Sequence, residues 1–292
     1  MKITNEFNLP GPIYQAICSG LFRPDPEKIS ATQLIDPPLI RYLKMKHWDE
    51  IEIDASTRIW SLLGSLIHVL LSKQSFNVFT EEKLQTEVNG VKITGSPDLL
   101  DETGIITDYK LSSVWTYLYE SRQKEYEKQL NIYRYLYQKN GFDIKGLQVV
   151  MILRDWAQSK TKNVNYPQCQ VLTIPIKIWT MEQVETYIKE RIKIHMQKPV
   201  PVCSEEERWP IPLSYKVLKK GRRTAIKVFP DYVSAKNFLE KQNDRHLLRI
   251  ESAGGVYRRC ENYCEVRKFC PVYNGAGKEM QSRDVGEGIK AS

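Results

Sequence analysis

Between residues 58 and 111 the apolar pattern changes period once, and that change dictates an α/β fold. Residues 58–72 carry Ile59, Leu62, Leu63, Leu66, Ile67 and Leu70 at helical spacing. This predicts a largely buried helix, capped by Ser56 or Thr57. From residue 83 the texture is that of strands. Asn89-Gly90 predicts a type I′ turn between strands over 83–88 and 91–100. A turn over 101–104 then leads to a third strand over 105–111. Beyond this meander the sequence predicts a helix over about 120–138, ended by Asn140-Gly141. Strands over 146–154 and 169–176 follow, and a helix capped by Thr180 runs to about His195. Helices, meander, helix, two strands and helix make a mixed sheet flanked by helices.

The 292 residues are long enough for such a core and an appendage. Residues 1–29, rich in Pro and Gly, read as an extended N-terminal arm. Ser30 is placed to cap a helix, and Pro37-Pro38 divides the stretch 31–45 into two. The core is expected over 30–198. Pro199, Pro201 and Pro210 mark the passage into a basic, cysteine-rich α+β appendage over 199–274. Within it a hairpin over 215–229 is expected to turn at Lys220-Gly221, before a helix to about Lys241 and a strand over 247–252. The small, polar residues 275–292 read as a flexible tail. A mean hydropathy of −0.45 and the lack of an apolar run of ~18 residues exclude a membrane-spanning helix. The N-terminus lacks the apolar stretch of a signal peptide, so a cytoplasmic location is expected. The formal charge of +8 is compatible with a polyanionic partner.

Chemistry concentrates in the meander. Gly95-x-x-Asp98 precedes Asp108-Tyr109-Lys110. Two carboxylates on neighbouring antiparallel strands can face one hard cation. Asp108 and Lys110, two apart on a strand, point to the same side. A divalent metal there would polarise a phosphodiester and lower the pKa of the attacking water. Lys110 would orient that water or stabilise developing charge. Tyr109 would offer only its backbone carbonyl, and Gly95 would permit close backbone approach. Glu87 is an additional candidate, although an exposed hairpin glutamate explains it as well. Each pattern alone is common in structural roles; their order and placement carry the weight.

This arrangement resembles the core of the PD-(D/E)xK nucleases. Gly64-x-x-x-His68 before the meander and Gln129-x-x-x-Tyr133 after it resemble the RecB-type branch. That branch includes phage exonucleases and CRISPR-associated adaptation nucleases. The resemblance implies a restriction-endonuclease-like core and hydrolysis of DNA. It implies Mg2+ or Mn2+ held by His68, Asp98, Asp108 and the Tyr109 carbonyl. Asp98, Asp108, Lys110, Gln129 and Tyr133 would then form the catalytic set.

Cys260-x-x-x-Cys264-x-x-x-x-x-Cys270 places three thiols in a short segment, with Cys203 upstream. In a reducing compartment such crowding suggests metal rather than disulfides. Members of the branch hold a [4Fe–4S] cluster on a C-terminal cysteine triplet and one distant cysteine. The resemblance implies such a cluster on Cys260, Cys264 and Cys270. The family's distant cysteine lies near the N-terminus, where this chain has Pro37-Pro38 instead, and Cys203, in a Pro-flanked turn at the start of the appendage, is taken as the fourth ligand, stapling the appendage. Zn2+ and free thiols remain the alternatives. Lys219, Lys220, Arg222 and Arg223 on the basic hairpin are candidate DNA contacts. Trp115, Tyr117 and Tyr119 are candidate stacking groups. The sequence thus points to a metal-dependent nuclease, first an exonuclease on single-stranded or end-containing DNA, in phage or mobile-element recombination, replication or repair. A recombination or replication protein is the expected partner. A non-catalytic nucleic-acid-binding or assembly protein on the same fold is the alternative.

Overall fold

Local chemistry sets most helix starts and the decisive turn. The computed structural model describes residues 1–73 and 83–274. It divides the chain into two compact units, Met1–Pro201 and Val202–Ser292. The first opens with β1 (Lys2–Thr4), α1 (Gly11–Ser19), β2 (Lys28–Ser30), α2 (Ala31–Ile35) and α3 (Pro38–Lys46). Then come β3 (Glu52–Asp54), α4 (Ile59–Ser72), β4 (Leu84–Val88), β5 (Val91–Gly95), β6 (Leu99–Leu100) and β7 (Ile105–Ser112). The unit closes with α5 (Val114–Leu118), α6 (Gln123–Lys139), β8 (Gly146–Leu153), β9 (Val171–Pro175) and α7 (Met181–Met196).

Ser30 caps α2 and Thr180 caps α7, each completing a capping box with a glutamine three residues on. Asn89 and Gly90 take φ of 52° and 75°, as a type I′ turn demands, and join β4 to β5. At the foot of α4 the expectation of Ser56 or Thr57 fails. A short 3-10 turn over Ala55–Arg58 intervenes, and Asp54 caps it by accepting from Ser56 N–H.

The strands form two main sheets. One has the order β2-β5-β4 and the other β6-β7-β8-β9. β7 and β8 run parallel, and β6 and β9 flank them antiparallel. The expected three-stranded meander is therefore corrected: its middle strand breaks at Ser96–Asp98, so β5 and β6 belong to different sheets. Pro97 has no N–H to donate to a ladder. On β8 burial alternates residue by residue, and Leu147, Val149, Met151 and Leu153 face the core. Leu130, Leu136 and Tyr137 of α6 and Val184, Ile188 and Ile192 of α7 join the same cluster.

The lead-in is not an extended arm. β1 pairs in parallel with β3, and β2 with β5, with α1 between them. α4 also departs from expectation. None of its residues is fully buried, and Leu63, Leu66, Val69 and Leu70 are exposed. Hydropathic spacing foretells the helix but not what covers it.

The second unit comprises α8 (Glu205–Arg208), β10 (Pro210–Ile211), β11 (Ser214–Lys219), β12 (Lys227–Phe229), α9 (Tyr232–Glu240), β13 (Leu248–Ala253), β14 (Val256–Tyr257) and α10 (Arg258–Asn262). β11 lies between β12 and β13 in an antiparallel sheet, and β10 pairs with β14. Gly221, at φ 85°, makes the turn of the hairpin. Asp231 caps α9, which packs on the sheet. The expected tail, 275–292, lies outside the described residues.

Candidate active site

The centre is built on β7. In register, Asp108 pairs with Val149 and Lys110 with Met151, both core residues. Paired side chains on adjacent strands share a face, so Asp108 and Lys110 point toward the face that α6 covers. Asp108 is only 2% exposed. Lys110 Nζ lies 2.6 Å from Asp108 Oδ2. Gln129 Nε2 donates to Asp108 Oδ1 at 3.4 Å and to the Tyr133 hydroxyl at 2.8 Å. Gln129 and Tyr133 are one helical turn apart, which places both toward the same strand.

Asp98 enters from the break that Pro97 imposes. With no strand partner beyond β6, the Tyr109 N–H turns to Asp98 and donates to its Oδ2 at 2.6 Å. The other carboxylate oxygen meets His68 Nδ1 at 2.7 Å. His68 is carried by α4, which packs on β7. Within a strand a residue's N–H and C=O leave toward the same edge. The Tyr109 carbonyl is therefore turned to the Asp98 side as well. Gly95 serves a different close approach from the one expected. A Cβ there would fall 2.7 Å from Leu136 Cδ1 and 2.8 Å from Tyr133 Cδ1, so this glycine admits α6. Glu87 lies exposed on β4.

The electrostatics follow from this crowding. The hydrogen bond to the Asp98 carboxylate, with the charges of Asp98 and Asp108, holds the His68 pKa above its ordinary value against the opposing effect of burial. Burial, and then the charge of Asp98, pushes the Asp108 carboxyl up; Lys110 and His68 pull the other way. Burial and then Asp108 raise the Tyr133 phenol. Asp108 thus leans on the Lys110 ammonium and Asp98 on the His68 ring. Consistent with this, no group of three or more His, Cys, Asp or Glu among the described residues is gathered tightly enough to hold a metal ion.

The residues nevertheless suit a hard divalent cation. Asp108 Oδ2 is buried and, beyond its ion pair with Lys110, makes no hydrogen bond of acceptable geometry. Two carboxylates and a carbonyl are the oxygen donors that Mg2+ or Mn2+ takes, and the imidazole is a softer nitrogen donor beside them. One neighbour escaped the sequence reading. Tyr126 is buried, its ring lies 5.9 Å from Lys110 Nζ, and its hydroxyl is 3.4 Å from Ser112 Oγ. Its place three residues before Gln129, on the same side of α6, was the available signal.

In the second unit Cys203, Cys260, Cys264 and Cys270 are all unbridged and partly buried. Burial, then Glu207, Cys270 and Cys264, pushes the Cys203 thiol up to about 12. Cys260 and Cys264 are also raised, by burial and then in part by each other or by Cys270. The four thiols therefore feel one another without forming a closed ligand set. Arg259 lies over Trp209, Arg208 over Tyr257 and Arg258 over Tyr263 in the same unit. On the basic hairpin, Lys220, Arg222 and Arg223 are exposed, whereas Lys219 is held by Asp244 at 2.6 Å. In the first unit Trp115 and Tyr119 are exposed and stack on each other at 5.8 Å.

No match was found among curated proteins by sequence. Three solved structures are similar to parts of this chain. SSO0001 is 18% identical, with 64% of this chain and 85% of that one covered at a TM-score of 0.43. A phage related exonuclease from Haemophilus somnus is 16% identical, with 57% and 90% covered at 0.37. An alkaline exonuclease (LHK-Exo) from Laribacter hongkongensis is 13% identical, with 62% and 91% covered at 0.36. The model of the PD-(D/E)XK nuclease superfamily matches residues 50–271. That span takes in His68, Asp98, Asp108 and Lys110, with the helix order of the RecB-type branch, and the chain belongs to the PD-(D/E)XK nuclease superfamily.

Proposed function

We propose that this chain is a metal-dependent deoxyribonuclease acting as an exonuclease on single-stranded or end-containing DNA. The observation that carries the reading is the meeting of His68, Asp98, Asp108 and Lys110 along one edge of β7. Nucleases of this superfamily generally use Mg2+ or Mn2+. Here His68, Asp98, Asp108 and the Tyr109 carbonyl would hold the ion. When bound, it supplies Lewis-acid polarisation of the phosphate and a more acidic water.

The chain's own residues do the rest. Asp98 fixes the His68 ring and, through the Tyr109 N–H, the carbonyl beside it. Asp108 needs a cation to stay ionised in so buried a place. Lys110, the counter-ion of Asp108 here, would with a cation held beside that carboxylate be placed to face the phosphate or the attacking water. Gln129 bridges Asp108 and Tyr133 and sets the orientation of the carboxylate. Exposed Lys220, Arg222 and Arg223 would neutralise phosphates, and Trp115 and Tyr119 offer a face to unpaired bases. A role in phage or mobile-element recombination, replication or repair, with a partner from that machinery, fits this activity.

The same reading assigns Cys203, Cys260, Cys264 and Cys270 to a [4Fe–4S] cluster of structural role, with Zn2+ as the alternative. The donor set supports it: four partly buried thiols in one unit, each raised thiol within the field of another. Iron, sulfide and zinc analysis of anaerobically purified protein decides between the two.

The nuclease reading is tested with end-labelled single strands, blunt duplexes and covalently closed circles in Mn2+, Mg2+ and EDTA. Metal-dependent shortening of linear substrates with intact circles is expected. Cleavage of circles would make the enzyme an endonuclease. No cleavage of any of them in either metal would favour a non-catalytic binding protein.

A further inference from the structure

One side of α4 holds a group that the chemistry above leaves unused. Trp60, Gly64 and His68 follow at i, i+4 spacing and so run down one side of the helix, toward the candidate metal site. Trp60 is 54% exposed. The Arg154 guanidinium lies over its ring, 4.3 Å from the centroid. Arg154 directly follows β8, and its N–H donates to the Ser112 carbonyl at 2.9 Å. That bond ties it to the end of β7 just beyond Lys110. Arg154 is exposed, and no carboxylate pairs with it among the described residues. At Gly64 an added Cβ would meet nothing within 4 Å, so the helix surface between Trp60 and His68 is bare.

An exposed indole and an unneutralised guanidinium, stacked together beside a phosphodiesterase centre, lack two things: a π-face to stack on and an anion. A nucleotide of a single strand supplies both. A base extends the stack, and its phosphate answers the arginine. A duplex keeps its base faces buried against one another and can offer only the phosphate. Eight residues of helix separate Trp60 from His68 by about 12 Å. That distance is three to four phosphate spacings at ~3.4 Å per nucleotide of one strand.

We infer that Trp60 and Arg154 form a stacking platform that grips one base of a single DNA strand a few nucleotides from the scissile phosphate, with the Gly64 surface as the path between. The inference deepens the nuclease reading and rests on it for the position of the scissile bond. The platform adds a preference for unpaired strands that the metal site alone does not provide. Neither residue is needed for the core, since both side chains are at the surface.

The test is binding of a labelled single-stranded oligonucleotide of about ten nucleotides by the full chain, read by fluorescence anisotropy in EDTA so that no cleavage occurs. A blunt duplex of the same sequence is the control. Trp60→Ala is expected to weaken single-strand binding about tenfold, the scale of losing one stacked base, and duplex binding by less than threefold. Trp60→Phe should recover most of the loss. Arg154→Ala should weaken single-strand binding similarly, and the double variant should cost less than the product of the two, because the residues act as one stack. The idea is overturned if Trp60→Ala changes single-strand affinity by less than twofold. It is equally overturned if both substrates weaken together, if Trp60→Phe recovers nothing, or if the unaltered chain does not bind the oligonucleotide. Cleavage by the unaltered chain in Mn2+, measured in parallel, reports on the nuclease reading alone.

Discussion

α6 and α4 flank the same strand and obey opposite rules. α6 is the polar helix by sequence, yet Tyr126, Gln129, Asn131, Tyr133 and Tyr137 are buried on it. α4 is the apolar helix, yet it buries nothing completely. The difference lies in what each helix is asked to hold. α6 covers the face of β8 from which Leu147 to Leu153 project, and it contributes Leu130 and Leu136 to that core. Gln129 and Asn131 are tolerable there because each finds partners. Gln129 bridges Asp108 and Tyr133, and Asn131 donates to the Glu127 and Lys177 carbonyls and accepts from Trp179 N–H. α4 needs to deliver only His68 to Asp98. A site between strand and helix thus has one buried wall that is fixed and one wall that is open.

Several substitutions would break or sharpen this contrast. The largest effect is expected at Leu136, which is fully buried on α6. Leu136→Ala should lower the unfolding free energy by about 2–5 kcal/mol in chemical denaturation. Leu70→Ala, on the exposed side of α4, should stay within about 0.5 kcal/mol. A comparable loss at both positions would erase the distinction between the helices.

Gly95→Ala comes next. Its Cβ would press on Leu136 and Tyr133 at under 3.0 Å, and overpacking of this kind costs about 1–3 kcal/mol. Displacement of Tyr133 should disturb Gln129 and lower activity as well. A fully active, equally stable Gly95→Ala would show that α6 can withdraw without loss.

Beside α6, the buried side of α7 also predicts a pH response. His195 of α7 is buried against the Leu34 carbonyl at 3.2 Å. Burial first, and then the charge of Arg191, pushes its pKa down to about 4. The unfolded chain binds this proton from about pH 6.5 downward, whereas the folded chain resists until about pH 4. The contribution is therefore complete above pH 6.5 and is lost as pH falls through that window, at up to about 1.4 kcal/mol per pH unit. Replacing His195 with Gln should flatten this part of the stability profile; an unchanged profile would remove His195 from the account.

The smallest effect is expected at Gly64. A methyl group there meets nothing, and glycine in a helix interior costs about 0.5–1 kcal/mol relative to alanine. Gly64→Ala should therefore raise stability slightly, opposite in sign to Gly95→Ala. Destabilisation would mean that the α4 surface is covered.

What the sequence revealed was local. Asn89-Gly90, Ser30 and Thr180 act through their own backbone and immediate neighbours, so their turn and caps are readable one segment at a time. Asp108 and Lys110 share a face because a strand alternates, and Gln129 and Tyr133 because a helix repeats. Apart from the local turn that Asp54 caps and the place of Tyr126 on α6, the missed features depend on chain distant in sequence. The break at Pro97 matters because Asp98 then takes up a β7 N–H. Gly95 matters because α6 arrives from residues 123–139. The exposure of Leu66 and Leu70 depends on the surroundings of α4, which no periodicity encodes. The lead-in looked irregular because β1 and β2 are three residues each and find partners only across the chain.

The central claim is that His68, Asp98, Asp108 and Lys110 form one metal-dependent phosphodiesterase site. Asp108→Asn tests it most directly, because the amide keeps the shape beside Lys110 and Gln129 while removing the charge that a cation needs. Mn2+-dependent cleavage of an end-labelled strand should be compared for the two chains, with thermal melting as the check on folding. The account predicts loss of cleavage by about a hundredfold or more, with a melting transition as cooperative as that of the unaltered chain. A folded Asp108→Asn chain that cleaves at the unaltered rate would contradict it.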